Sequence, residues 1–205
     1  MNEHGIKASF KATGQTGVLI AENGVAIDAI ISDFISGAVE WLSPDNEEDH
    51  WDIIEGQGSL FHPSFAGVSL GLLHGSQPDK FIVCHEPTRS NMRGVKNKLP
   101  SISEVISKTI ELGKLTNPDI KCAGIALNTS NMLNKSEDMK KMISDKYSIP
   151  CLDPLKDDLS DFRVRQDGFY SEKSLFSEGR IEEACGIIKK NGNAYEKDGA
   201  LWLES

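Results

Sequence analysis

Short apolar runs alternate with helical patterns along the first 155 residues of the chain. The runs from Trp51 to Glu55, Phe81 to Cys84 and Cys122 to Leu127 are rich in branched side chains, as expected of strands that are covered on both faces. Helical spacing of apolar residues falls between them. This alternation is typical of βαβ units, so we predict an α/β fold with a mostly parallel sheet flanked by helices.

The helical patterns have recognisable ends. One pattern runs from Ile31 to Leu42 and stops at Ser43 and Pro44, and another follows a capping box formed by Ser101 and Glu104. A further pattern passes through Met139, Met142 and Ile143. In an open parallel sheet, ligands bind at the carboxyl ends of the strands. The polar and glycine-rich segments that follow the predicted strands are therefore the candidate sites.

The pattern changes after Pro154. Charged residues become dense, and a single clear helical pattern remains, from Ile181 to Ile188, with Gly192 as its stop. We therefore predict two parts, residues 1–155 and residues 156–205, the second being a small α+β tail.

Composition narrows the possible partners. The 205 residues carry a formal charge of -9 without a long basic block, so nucleic acid is not an expected partner. No apolar run approaches the roughly 20 residues of a membrane-spanning helix, and no secretory signal is visible, so we expect no membrane partner and a cytoplasmic location. The four cysteines have no C-x-x-C spacing, which favours reduced thiols over a zinc site.

A glycine-rich turn follows the β-like run from Ala8 to Ala12. Its glycines and hydroxyl groups could let backbone N–H groups approach an anion closely, and a simple tight turn is the alternative. The residues of this turn are Thr13, Gly14, Gln15, Thr16 and Gly17.

An acidic residue with glycines behind it follows the second run. Glu55 stands at the tip of the predicted strand, where phosphate-handling sheets hold magnesium or a bridging water, and Gly56, Gln57 and Gly58 come next. The alternative is a strand-ending turn with a solvated carboxylate. Among the acidic residues near the first helical pattern, Asp28 fits a helix cap, and Asp33 either binds a cation or is solvated.

Three histidines, His62, His74 and His85, lie in turns or at strand ends, where each could be a catalytic group or a hydrogen-bonded structural residue. The best candidate is His85, because Arg89 and Arg93 follow it and could hold a carboxylate or phosphate. A surface loop with ordinary charges is the alternative.

Asn128 ends the third run. Its amide could read the edge of a ring through a paired donor and acceptor, and a turn-forming asparagine is the alternative.

Several longer segments together resemble the carboxyl-terminal domain of the D-glutamate N-acetyltransferase-like family, over Ala8 to Pro154. They are ATGQTG, VAIDAIISDFISGAVEWLSP, HWDIIEGQGSLFHPSFAGVSLGLLHGSQPD, CHEPTR, GIALNTS and IPCLDP. That family is similar to P-loop nucleotide-binding proteins, dethiobiotin synthetase in particular. The resemblance implies a partial P-loop type fold, with Glu55 as the magnesium-side acid and Asn128 as a base-reading residue.

The resemblance also implies a reaction, acetyl transfer to the amino group of D-glutamate or a similar amino acid. The cofactor expected from it is acetyl-CoA, or ATP with Mg²⁺. We take Glu55, His85 and Arg89 as the catalytic candidates and Asp33 and Glu55 as the metal ligands. The cofactor-binding candidates are Thr13, Gly14, Gln15, Thr16, Gly17, Gly56, Gln57, Gly58 and Asn128.

The sequence contains no G-x-x-x-x-G-K-[ST] motif, which in P-loop proteins supplies the phosphate cradle. We therefore expect impaired catalysis by this chain alone, and an inactive binding module is an alternative function. In the resembling fold the missing element is also a central strand. Exposed strand edges would then favour a homo-oligomer.

From about Lys156 the sequence resembles the segment of bacterial arginyl-tRNA synthetases between their two ATP-binding signatures. The stretch from Tyr195 to Leu203, YEKDGALWL, carries most of this likeness. Neither an H-I-G-H nor a K-M-S-K signature is present, so activation of arginine is not expected, and tRNA is a partner only if the tail is functional. We interpret the chain as two incomplete enzyme-like pieces joined near residue 155.

Overall fold

The computed structural model describes residues 5–21, 23–132, 136–157, 190, 194–197 and 200–203. The strands in these ranges are β1 (Ala8–Lys11), β2 (Trp51–Ile54), β3 (Lys80–His85), β4 (Lys121–Leu127), β5 (Cys151–Leu152), β6 (Ala194–Lys197) and β7 (Ala200–Leu203). The α-helices are α1 (Gln15–Ala21), α2 (Ile35–Leu42), α3 (Ala66–Ser76), α4 (Ile102–Gly113) and α5 (Ser136–Tyr147). Two single-turn 3₁₀ helices, Ile27–Ala29 and Ser32–Phe34, precede α2.

The chain forms two compact units, Met1–Val164 and Arg165–Ser205. All the helices above and β1 to β5 lie in the first unit. In the second, β6 and β7 pair as antiparallel strands. The predicted domain boundary near residue 155 stays a prediction, and the predicted helix from Ile181 to Ile188 lies outside the described residues.

The first unit holds two parallel sheets. Strands β1 and β2 pair with Ala8 opposite Trp51, and β3, β4 and β5 form a three-stranded sheet in that order. The β3–β4 register shifts between Phe81 and Ile82. Parallel strands with helical crossovers confirm the predicted α/β fold. Within the described ranges, no strand pairing joins β2 to β3.

Each sheet is covered by its own apolar core. The buried residues beside the β1–β2 sheet are Ile27, Ile35, Val39 and Leu72, with Ile54 of β2 packed against them. The buried residues of the other core are Val83, Ile102, Ile125, Leu127 and Ile143. Helices α2 and α3 approach closely because Gly75 has no side chain, since a Cβ there would lie 2.3 Å from the carbonyl oxygen of Ser36.

Two predicted helix ends are confirmed. Ser101 and Glu104 form a reciprocal capping box at the start of α4, in which each side chain accepts a hydrogen bond from the backbone N–H of the other residue. Helix α2 ends at Leu42, directly before Ser43 and Pro44. None of the helices in the described part of the chain has the length and apolar character needed to cross a bilayer.

Candidate functional site

Glu55 follows β2 and holds the turn between β1 and α1. Its Oε2 atom accepts hydrogen bonds from the backbone N–H groups of Thr13 and Gly14, each at 2.9 Å. The hydroxyl group of Thr13 in turn donates to the carbonyl oxygen of Glu55 at 2.8 Å. The predicted anion-binding turn is thus already engaged by an anion of the protein itself, placed where the dipole of α1 favours a negative charge.

Two glycines let the carboxylate of Glu55 come this close. A Cβ atom at Gly17 would lie 2.3 Å from Glu55 Oε2, and one at Gly14 would lie 2.8 Å from Gln57 Nε2. Gln57 Nε2 also donates to the hydroxyl oxygen of Thr13 at 3.1 Å. The structure therefore brings together residues from both predicted segments, the turn after β1 and the turn after β2. We call Thr13, Gly14, Gly17, Glu55 and Gln57 the Glu55 cluster.

The neighbours of this cluster have different roles. Gly58 packs against Phe65, whose Cβ would lie 2.5 Å from a Cβ at that glycine, while Gly56 faces open space. Thr16 is exposed, and the side chain of Gln15 donates to Asp28 at 3.3 Å. Asp28 is thus a second acidic residue, besides Glu55, that contacts this turn.

Asp33 is exposed and has no hydrogen bond or ion pair to the described residues. Glu55 Oε1 likewise has no hydrogen-bond partner within the described ranges, so one carboxylate oxygen is left for a cation. In the part of the chain that the structure covers, no group of three or more His, Cys, Asp or Glu residues is arranged to hold a metal ion. Binding of a metal by Asp33 and Glu55 stays a prediction.

A cleft of about 410 Å³ opens at the carboxyl ends of β3 and β4. It contains three predicted site residues, His85, Arg89 and Asn128. The other residues that line it are Cys84, Glu86, Ala126, Leu127, Pro154 and Leu155. The walls are thus mainly apolar, with a few polar groups between them, which is the usual make-up of a small-molecule site.

Glu86 holds the guanidinium group of Arg89 in this cleft. One of its carboxylate oxygens pairs with the guanidinium group of Arg89. The other accepts hydrogen bonds from the Thr88 hydroxyl at 3.2 Å and from Asn131 Nδ2 at 3.1 Å. Sequence reasoning did not single out Glu86, although it stands inside the CHEPTR segment.

The pKa values of two cleft residues, His85 and Cys84, are shifted towards the neutral forms of their side chains. Burial lowers the pKa of His85, and the nearby charge of Glu86 opposes this only in part. Burial also raises the pKa of the Cys84 thiol. At neutral pH the cleft therefore contains a neutral imidazole and a protonated thiol rather than a thiolate.

The side chain of Asn128 forms the turn that was the alternative for it, and its ring-reading role stays a prediction. Its side-chain oxygen accepts from the backbone N–H of Ser130 at 3.1 Å, which is the turn-forming alternative, and its own backbone N–H donates to the His85 carbonyl at 2.9 Å. Its amide NH₂ group has no partner among the described residues and remains available to a ligand.

A buried carboxylate that sequence reasoning missed holds two walls of the cleft together. Asp153 and Thr129 are both 0% exposed, and Asp153 Oδ2 accepts from the backbone N–H of Thr129 at 3.1 Å and from its hydroxyl group. The other oxygen accepts from the N–H of Leu155 at 2.9 Å. Asn128 precedes Thr129 and Pro154 follows Asp153, and both neighbours line the cleft, so we call Thr129 and Asp153 the clamp.

Charge around the clamp keeps Asp153 ionised. Burial by itself raises the pKa of this carboxyl group, but hydrogen bonds from Thr129 and Leu155 and the charge of Lys156 outweigh it, so the net shift is downward. Lys156 also donates to the carbonyl oxygen of Thr129 at 2.7 Å. The only sequence signal for this arrangement was the IPCLDP segment.

The three histidines do not converge. His62 is buried, and its Nε2 atom lies 2.9 Å from the carbonyl oxygen of Arg93. The Nε2 atom of His74 lies 3.1 Å from the carbonyl oxygen of Leu112. Each of these two contacts fits the structural alternative, and only His85 lines the cleft.

Residues 1–163 match the family described as a domain of unknown function, the DUF1611_C P-loop domain. The chain belongs to this family.

Two similar proteins are named D-glutamate N-acetyltransferase. The one from Pseudoalteromonas sp. is 55% identical over 159 residues, which are 77% of this chain and 48% of that protein. The one from Tritonibacter scottomollicae is 47% identical over 159 residues, 76% of this chain and 47% of that protein. The chain thus spans about half the length of these relatives. The predicted family resemblance is confirmed.

The crystal structure of a DUF1611 family protein from Anabaena variabilis has the same fold. Its TM-score is 0.69 at 31% sequence identity, covering 76% of this chain and 46% of that chain. A segment also matches a different class of protein, since arginine–tRNA ligase 1 of Halalkalibacterium halodurans is 46% identical over 54 residues, 26% of this chain and 10% of the ligase. The second predicted resemblance is thereby confirmed for a short segment.

Proposed function

We propose that the chain provides the acyl-donor site of a D-glutamate N-acetyltransferase-like enzyme, and that this site is the cleft at the ends of β3 and β4. The observation that carries the proposal is the meeting of His85, Arg89 and Asn128 in one cleft, in a chain of this family. The relationship to proteins named D-glutamate N-acetyltransferase supports acetyl transfer as the reaction.

Three residues of the cleft, His85, Arg89 and Asn128, have a chemical role in this proposal. Transfer to an amine requires that the nitrogen lose a proton, and the neutral imidazole of His85 is able to accept it. The free amide NH₂ of Asn128 donates to a ring nitrogen of the donor, and Arg89 binds an anionic group. Acetyl-CoA supplies the activated acetyl group, and D-glutamate or a similar amino acid is the acceptor.

ATP with Mg²⁺ is the second ligand that we consider, and we propose the Glu55 cluster, whose residues do not line the cleft, as its binding site. Mg²⁺ in nucleotide sites is held by one or two carboxylates together with phosphates and water. The unpartnered Oε1 atom of Glu55 fits one such ligand position, with the other oxygen fixed by Thr13 and Gly14. Because the 205 residues contain no G-x-x-x-x-G-K-[ST] motif, we propose that catalysis by the chain alone is weak and that ligand binding is its stronger property.

The test is a binding and turnover experiment on the purified chain. Calorimetric titration measures the affinity of the chain for acetyl-CoA and for Mg-ATP, with Asn128→Ala as the cleft variant and Asn46→Ala, outside the cleft, as its control. Release of CoA thiol in the presence of D-glutamate or L-glutamate measures transfer. We expect binding that Asn128→Ala weakens and Asn46→Ala does not.

If neither acetyl-CoA nor Mg-ATP binds, the proposal is overturned. Binding without turnover would identify the chain as a binding module. We also propose a cytoplasmic location and self-association of the chain. Size-exclusion chromatography with light scattering tests the self-association.

A further inference from the structure

His62 is buried, with 6% of its surface exposed, and both nitrogens of its ring have a backbone partner. The N–H group of Ser64 lies 3.1 Å from Nδ1, and the carbonyl oxygen of Arg93 lies 2.9 Å from Nε2. A backbone N–H group only donates and a carbonyl oxygen only accepts, so Nδ1 must accept and Nε2 must carry the proton. The two contacts therefore fix the ring in one neutral tautomer.

These contacts hold together loops from different parts of the first unit. His62 stands in the loop between β2 and α3, whereas Arg93 stands in the segment between β3 and α4. That segment folds back on itself, since Asn91 forms an antiparallel bridge with Lys98. We call residues 90–99 the hairpin loop. Arg93 lies between the two bridge residues, so the ring of His62 ties the tip of the hairpin loop to the loop before α3.

The two loops that meet at His62 offer no negative charge. Residues 59–76, which include the rest of the first loop and α3, contain no titratable side chain besides His62 and His74. Residues 87–99 contain no Asp or Glu and four cations, which are Arg89, Arg93, Lys96 and Lys98. No ion pair reaches His62 from the described residues, and its ring packs against Phe65 with 4.6 Å between the ring centroids. A charged His62 would therefore be buried without a carboxylate partner.

A second proton on the ring would disrupt these contacts. It can enter only at Nδ1, where the N–H group of Ser64 would then face another N–H group. The added charge would also lose its hydration by burial, and the cations of the hairpin loop would repel it. All three effects oppose a second proton on the buried ring, and none of them opposes it in water. Acid should therefore favour a form in which the ring has left this position.

We propose that His62 is an acid-sensitive latch, which holds the hairpin loop to the loop before α3 when its ring is neutral and releases it when protonated. The hairpin loop begins directly after Arg89, a residue of the cleft, and the loop before α3 follows Gly58. Release would thus loosen the link between the segments that carry the cleft and the Glu55 cluster. The proposal does not depend on which ligand either site binds.

His74 provides a matched control in the same chain. Its Nε2 atom also lies close to a carbonyl oxygen, that of Leu112, at 3.1 Å. Among the described residues, however, no group donates to Nδ1 of His74. A second proton at that nitrogen displaces no hydrogen bond and leaves the contact with Leu112 in place. We therefore expect the contact of His74 to persist in acid.

The first measurement locates the proton on the ring of His62. Long-range ¹H–¹⁵N NMR spectra of the full chain distinguish a ring nitrogen that carries a proton from one that does not. At about pH 7.5, where histidine in water is mostly neutral, we expect the proton on Nε2 and an acceptor at Nδ1. A proton on Nδ1, or exchange between the two tautomers, would overturn the proposal.

The second measurement is hydrogen exchange of the backbone amides, with each rate divided by the intrinsic rate at the same pH. The amide of Ser64 donates to the latch itself, and that of Met92 donates to Asn97 within the hairpin loop. Histidine in water titrates at about pH 6.5. Because only the released form takes up the proton, the ratio of released to latched form should rise about tenfold between about pH 7.5 and about pH 5.5. The protection of both amides should fall by the same factor.

Two variants and one reference amide separate the latch from other effects of acid. We expect the loss of about tenfold in wild type and in His74→Gln, and no such pH dependence in His62→Gln, whose side chain does not titrate. The amide of Ile125, which donates to Pro150, reports opening of the sheet at β4 and should stay unchanged.

The same pH dependence in His62→Gln, its absence in His74→Gln, or an equal loss of protection at Ile125 would overturn the proposal. Should His62→Gln not fold, the position of the proton and the comparison of Ser64 with Ile125 in the wild-type chain decide between the outcomes.

Discussion

The hydroxyl group and the backbone N–H of Thr129 both donate to a single carboxylate oxygen of Asp153, and both residues are fully buried. This contact joins the end of β4 to the end of β5. Each partner is next in sequence to a residue of the cleft, Asn128 on one side and Pro154 on the other. The shape of the cleft therefore depends on two residues behind its surface.

Removing the hydroxyl group of the clamp should destabilise the fold. In Thr129→Val the buried carboxylate of Asp153 loses a donor, which costs about 1–3 kcal/mol in the free energy of unfolding. Thr129→Ser keeps the hydroxyl group and is the matched control, with a smaller loss. Urea denaturation followed by circular dichroism measures both. A valine variant as stable as the serine variant would show that the clamp contributes no net stability.

Acid should weaken the clamp in a predictable direction. The pKa of Asp153 is lowered in the folded chain, so the unfolded chain takes up a proton first as the pH falls. The stability that this group contributes is present above its unfolded pKa of about 3.9 and is lost as the pH falls through the folded pKa. Asp153→Asn should therefore lower the melting temperature at pH 7, and its difference from wild type should narrow below about pH 4. A difference that widens in acid would contradict the assignment.

A methyl group at Gly17 should disturb the Glu55 cluster. The new Cβ would lie 2.3 Å from Glu55 Oε2 and would force the carboxylate away from the N–H groups of Thr13 and Gly14. We expect Gly17→Ala to lower the free energy of unfolding by about 1–3 kcal/mol.

Gly37→Ala is the control for this change. Gly37 is in α2 and has open space around its Cβ position, so alanine there should stabilise the helix by about 0.5–1 kcal/mol. Equal effects of the two substitutions in thermal unfolding would show that contact with Glu55 is not the cause.

The histidine of the cleft should titrate below its usual range. Burial lowers the pKa of His85 and the charge of Glu86 raises it, so Glu86→Gln should lower that pKa further. Proton NMR titration of the imidazole signals of wild type and Glu86→Gln measures both shifts. His74, whose ring contacts the carbonyl oxygen of Leu112, provides an internal reference signal. An increase of the His85 pKa in Glu86→Gln would contradict the proposed coupling.

Local sequence patterns were sufficient to predict most of the strands and helices of the first unit. Strands β2, β3 and β4 lie where the apolar runs predicted them, and the capping box of Ser101 and Glu104 begins α4 as expected. The sequence did not predict α1 or α3. Helix α1 begins inside a turn with two glycines, which are poor helix formers, and Glu55 accepts hydrogen bonds from the N–H groups of Thr13 and Gly14, which directly precede it. Helix α3 has three glycines and no polar stripe, so it lacks an amphipathic pattern.

The candidate site could likewise be predicted from the sequence only in part. His85, Arg89 and Asn128 could be predicted to lie together because the carboxyl ends of neighbouring parallel strands meet at one edge. The clamp could not, because the strand before Asp153, β5, has only two residues and gives no recognisable strand pattern in the sequence. The engagement of the turn after β1 by Glu55, more than 40 residues away, also depends on tertiary contacts.

The two parallel sheets of the first unit have separate cores, and no strand pairing joins them in the residues that the structure describes. Cooperative unfolding needs strong coupling between parts of a structure. Here the coupling is weak, since the described links between the two halves include a small contact between α3 and α4 and single side-chain hydrogen bonds such as that of His74. The amides of β1 and β2 should therefore exchange with solvent deuterium through openings that leave β4 protected. The β1–β2 half can open as a foldon of its own, and a ligand that binds only the cleft would slow exchange in β4 without protecting β1.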